Sequence, residues 1–74
     1  MKPDAIIKCV KDYSGKTSEG KTIILNNDTM YLKTTGDKYI YLNKYDEPTK
    51  QLPWLKPEEF NQLLGTYLEK AMDI

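Results

Sequence analysis

The chain has no histidine, and Cys9 is its only cysteine. The commonest general base is therefore missing. A zinc site of the usual kind, which draws its ligands mainly from cysteine and histidine, cannot be assembled. Cys9 would need a base beside it to act as a nucleophile. Placed between Lys8 and Val10 in an apolar run, it reads instead as a small core-filling thiol. The acidic pairs Asp46-Glu47 and Glu58-Glu59 are adjacent in the chain. Neighbours on a helix do not face each other, so Glu58-Glu59 reads as charge at a helix start. Gly15 and Gly20 lack the spacing of a phosphate loop, and there is no calcium-loop pattern. The residues thus point to a protein that is not an enzyme and takes no cofactor or metal.

The tyrosines offer recognition chemistry instead. Tyr31, Tyr39, Tyr41 and Tyr45 fall in two neighbouring strand-like runs, with Lys33, Lys38 and Lys44 among them. On a shared outward face, Tyr31, Lys33, Tyr39, Tyr41, Lys44 and Tyr45 would form an aromatic and basic patch. Trp54, between Pro53 and Leu55, either joins it or plugs the junction of sheet and helix. Such a patch can stack bases, grip a proline-rich peptide or anchor a protein interface.

Whether the tyrosines share that face depends on register. A two-residue turn at Gly36-Asp37 sets Tyr39 opposite Thr34 and turns the tyrosines inward. A three-residue loop, Gly36-Asp37-Lys38, sets Ile40 opposite Thr34 and Leu42 opposite Leu32. A slip of one residue exchanges the two faces. The three-residue loop is preferred because it gathers Ile23, Leu25, Met30, Leu32, Ile40 and Leu42 in one core. The apolar face of a helix packed on the tyrosines is the competing use of that surface.

The elements that must position these residues read as strands first and a helix last. Strands are expected at 5–11, 22–26, 29–35 and 39–45, with an extended piece at 51–55. A long polar loop spans 12–21, and Asn27-Asp28 and Asp46–Lys50 are turns. Phe60, Leu63, Leu64, Tyr67, Leu68, Ala71 and Met72 follow the spacing of one helical face. Pro57 suits a first helical position, and Leu55 and Phe60 sit at the positions of a hydrophobic staple. An amphipathic helix is therefore expected over about 57–72, with Gly65 as a weak point inside it. The fold class expected is mainly β (α+β): a small SH3-like barrel, or a meander sheet, of four or five short strands with one C-terminal helix. Residues 1–74 form one domain.

A chain of 74 residues buries a small core, so every large apolar side chain has a claim on it. The 11 basic and 11 acidic side chains cancel, which disfavours binding by neutralising many phosphates. The lone thiol and the lack of a long apolar stretch lead us to expect a cytoplasmic protein with no membrane partner.

The string Ile7-Lys8-Cys9-Val10-Lys11-Asp12-Tyr13 is followed by Glu19-Gly20-Lys21-Thr22, then Tyr39-Ile40-Tyr41-Leu42, then Pro57-Glu58-Glu59-Phe60. This order resembles the small SH3-like proteins of phages and prophages of Gram-positive bacteria. The resemblance touches about half of the chain and its motifs are structural. It implies no catalytic residues. It does imply an accessory role in a mobile element, including binding and altering a host protein. The leading expectation is an interaction module that binds a protein. Single-stranded nucleic-acid binding on the same face and self-association, for instance as a homodimer, are the alternatives.

Overall fold

The computed structural model describes residues 2–74. Its strands are β1 (Ala5–Cys9), β2 (Tyr13–Lys16), β3 (Thr22–Leu25), β4 (Met30–Thr35), β5 (Ile40–Lys44) and β6 (Leu68–Asp73), with one helix, α1 (Pro57–Leu63), before β6. A four-stranded sheet has the order β5-β4-β1-β6, and β2 and β3 form a separate two-stranded sheet. All pairings are antiparallel. The fold is mainly β as expected. It has six strands in open sheets, neither a closed barrel nor a simple meander.

Strand alternation builds the core. Ala5, Ile7 and Cys9 of β1 are buried, as are Ile23 and Leu25 of β3, Tyr31 of β4 and Ile40 and Leu42 of β5. Leu55, Phe60, Leu63 and Leu68 complete the same cluster. Helix and hairpin therefore cover one face of the four-stranded sheet. The other face carries Met72, Ile6, Leu32 and Asn43 in one cross-strand row.

The expected long helix is overturned. It stops at Leu63, and the chain reverses into β6, which pairs with β1. Leu64 lies at φ −64°, ψ 135°, Gly65 at φ +87°, and the Thr66 N–H donates to the Leu63 carbonyl at 3.3 Å. These are the features of a type II turn, whose third residue needs positive φ and so favours glycine. The open edge of β1 supplies backbone partners for the residues after it. Leu68 is buried against Cys9, but Ala71 and Met72, assigned to the helix's apolar face, are exposed. At the helix start, a Glu59 oxygen accepts the Lys56 N–H at 3.0 Å. Lysine has no acceptor to return the bond, so this is half of a capping box.

Two other expectations change. The segment 12–21 is not all loop, because β2 forms within it and pairs with β3. Asn27-Asp28 does turn the chain, with Asp28 at φ 66°, but it does not close a hairpin. It carries the chain from one sheet to the other, held by the Asp28 N–H on the Cys9 carbonyl at 2.8 Å.

The turn at Gly36 is neither of the two expected. The Gly36 N–H donates to the Tyr39 carbonyl at 2.9 Å, so Asp37 and Lys38 are the turn residues. The register is Thr35↔Ile40, Thr34↔Tyr41, Lys33↔Leu42 and Tyr31↔Lys44. Ile40 and Leu42 face inward and Tyr41 outward, as preferred, but their partners on β4 have exchanged faces. Tyr31 enters the core in place of Met30 and Leu32, which are only partly buried. Its hydroxyl oxygen accepts the Asn26 N–H at 3.4 Å, which makes burial of the polar tip tolerable.

Candidate functional site

Residues 51–55 run along the free edge of β5. The Leu52 N–H donates to the Leu42 carbonyl at 2.8 Å, and Ile40 and Leu55 exchange bonds of 2.7 and 3.1 Å. Pro53 has no N–H to offer and is tolerated on an outermost segment. Alternation along this segment turns Leu55 into the core and leaves Trp54 46% exposed. Trp54 is therefore not the plug of the sheet–helix junction. It lies against Tyr39, with ring centroids 5.5 Å apart at 46°, and against Tyr41, at 5.3 Å and 81°. Tilted and edge-on contacts are those aromatic pairs prefer.

Polar contacts fix these rings. The Trp54 indole N–H donates to Gln51 Oε1 at 3.1 Å. The Tyr39 hydroxyl donates to Glu19 Oε1 at 2.5 Å, and that carboxylate raises the Tyr39 pKa above its ordinary value. Glu19 sits at the tip of the β2–β3 hairpin. The tip is tied to the helix by the Ser18 N–H, which donates to Glu59 at 3.0 Å. Gly36 leaves the room that Tyr41 occupies: a Cβ there would lie 2.7 Å from the Tyr41 ring.

Shallow clefts open on both sides of Trp54. One, of about 330 Å³, lies toward the hairpin tip and includes Glu19, Lys21, Leu52 and Pro53. The other, of about 400 Å³, lies over the sheet and includes Thr34, Tyr41 and Asn43. Gln51 and Trp54 belong to both.

The expected patch is thus divided. Tyr39, Tyr41 and Trp54 come together. Tyr31 is fully buried and takes no part in the surface. Lys33 lies on the core side of the sheet, paired with Asp4 at 3.2 Å, its ammonium 5.4 Å from the Phe60 ring centre. Lys44 is the cross-strand partner of Tyr31, away from the rings. Tyr45 is exposed, beyond the end of β5. The helix covers the opposite face, so it does not hide the tyrosines. Glu19, Gln51 and Asn43 were not singled out from sequence. Gln51 was legible in part, as the residue that opens the extended piece carrying Trp54.

Among the described residues no cluster of three or more acidic or cysteine side chains could hold a metal ion, and no helix is long and apolar enough to cross a membrane. The Cys9 thiol is buried and donates to the Lys11 carbonyl at 3.1 Å. Burial pushes its pKa up, the opposite of an activated nucleophile. Comparison with protein-family models, with characterised proteins and with solved structures finds no match.

Proposed function

We propose that the protein is a non-catalytic interaction module that binds a protein partner through the face formed by Tyr39, Tyr41 and Trp54. The observation that carries this reading is the half-exposed Trp54, flanked by both tyrosine rings and by clefts on either side. Tryptophan and tyrosine are the residue types enriched where interfaces concentrate their binding energy. A chain of 74 residues has few large apolar groups to spare from its core, yet this one leaves its only tryptophan outside. Such a module suits the accessory role, engaging and altering a host protein, that the sequence resemblance implies. Lys33 and Lys44 lie away from the rings, which counts against nucleic-acid binding there.

The test compares the wild-type chain with Tyr41→Ala and Trp54→Ala as baits in host extract, with thermal unfolding as the folding control. Loss of a single aromatic anchor is expected to weaken capture at least about tenfold. Undiminished capture by variants that still fold would place the site elsewhere.

A further inference from the structure

We propose that the free edge of β6 pairs with β6 of a second copy, joining two chains into one continuous sheet about a two-fold axis. The seam lies at the far end of the sheet from residues 51–55, so it is independent of the aromatic face.

The pairing of β1 decides what this edge presents. The Cys9 N–H donates to the Thr29 carbonyl, on the β4 side, at 2.9 Å. Backbone groups alternate in direction along a strand, so Ile7 and Ala5 also point theirs toward β4. Lys70 and Asp73 stand opposite Ile7 and Ala5. Their own N–H and C=O groups therefore turn away from β1, to the open side. The Ile74 N–H on the Asp4 carbonyl, at 3.0 Å, fits the same alternation. Open pairing starts after Leu68, whose carbonyl already accepts the Gly65 N–H at 2.8 Å. Residues 69–73 are exposed and contain no proline. At the other edge of the sheet, Pro53 has no N–H to offer. An edge without such protection is a template for another strand.

The irregularity of β6 selects which strand fits. Ala71 has no partner on β1, because the register shifts between Ile7↔Lys70 and Ile6↔Met72. The outward-pointing residues Lys70 and Asp73 are thus three apart instead of two, and a regular strand cannot meet both. A second β6 has the same interval. Run antiparallel, it sets Lys70 against Asp73 of the second copy, and Asp73 against its Lys70. Each pair then exchanges two backbone hydrogen bonds. Lys70 and Asp73 share the sheet face of Ile7 and Ala5, so their side chains also meet across the seam with opposite charge. The competing registers set lysine against lysine or aspartate against aspartate, and like charges directly opposite destabilise a pair. Within one chain the Lys70 ammonium and the Asp73 carboxylate already pair at 3.0 Å; the second copy offers each the same contact. An edge lysine normally deters pairing, and here the incoming strand brings the acid that neutralises it.

Sedimentation equilibrium of the full chain tests the seam. Residues 69–74 make a short interface, in the size range of weak association, so a monomer–dimer equilibrium with a Kd on the order of 0.1 mM is expected. Asp73→Lys turns two symmetric attractive pairs repulsive and is expected to weaken dimerisation at least about tenfold. The exchanged variant, Lys70→Asp with Asp73→Lys, is expected to restore it. Lys70→Pro removes an outward N–H that β1 does not use and is expected to leave a monomer. Tyr41→Ala is expected to dimerise like the wild type. Thermal unfolding shows that each variant is folded. The wild-type measurement and the charge exchange do not depend on any one variant folding. A wild-type chain that stays monomeric to about 1 mM overturns the proposal and leaves the edge to a strand of another protein. So do species larger than a dimer, dimers that Asp73→Lys or Lys70→Pro leaves undiminished, and failure of the exchanged variant to recover. Dimers lost in Tyr41→Ala but kept in Lys70→Pro would place the contact on the aromatic face instead.

Discussion

Replacing Gly65 by alanine tests the C-terminal third of the fold, because two arrangements of the same residues predict opposite signs. In a helix running from Pro57 to Met72, Gly65 would be an interior position. Alanine there would stabilise by about 1 kcal/mol. In the observed structure Gly65 sits at φ +87° and a Cβ would meet nothing within 4 Å, so no clash contributes and the effect is backbone strain. Placing an L-residue in the left-handed region costs about 1–2 kcal/mol, partly offset by the smaller entropy of the unfolded chain. The net expectation is a destabilisation of about 1 kcal/mol. For a chain of this size that lowers Tm by about 4–8 °C. Thermal unfolding followed by circular dichroism, with urea titration followed by Trp54 emission, measures both. A variant more stable than the wild type, with added helical signal, would refute the turn and with it strand β6.

Further outcomes follow from buried and paired groups. Cys9 is fully buried, so Ellman's reagent is expected to react only as the native chain opens, and far faster in denaturant; rapid reaction in native buffer would contradict its place in the core. For Asp4, burial alone would raise the carboxyl pKa, but bonds from Thr35 and Lys33 outweigh it and hold the pKa below its ordinary value. A depressed carboxyl stabilises the fold above its unfolded pKa of about 3.9, and that stability is lost as pH falls through the lower folded value. Asp4→Asn should therefore be the less stable protein at pH 7, by under about 1 kcal/mol given the exposure of the pair. The gap should close in acid, and a gap unchanged at pH 2 would show that this pairing is not its source.

Much of the sheet was legible because a strand writes its burial into the chain with a period of two. Ile23 and Leu25, and Ile40 and Leu42, could be assigned inward on that ground. The helix boundary was not, since Phe60, Leu63, Leu64, Tyr67 and Leu68 fit a helical face whether or not the chain continues past Gly65. Of the candidate site, the types were visible and the grouping was not. Tyr31 and Lys33 share one parity on β4, and which face that parity meets depends on the position of one turn.

From the residues alone it follows that this chain lacks the histidine and thiol pairs of common catalysis and metal binding, and that its aromatic side chains are mostly tyrosine. Composition decides that, because no fold can supply a side chain that is absent. Tertiary structure decided which rings meet. The edge of β5 bound residues 51–55 and turned Trp54 outward onto Tyr39 and Tyr41, while the turn at Asp37-Lys38 sent Tyr31 into the core. Both outcomes rest on pairings between segments distant in sequence, whose register local patterns leave open by one residue.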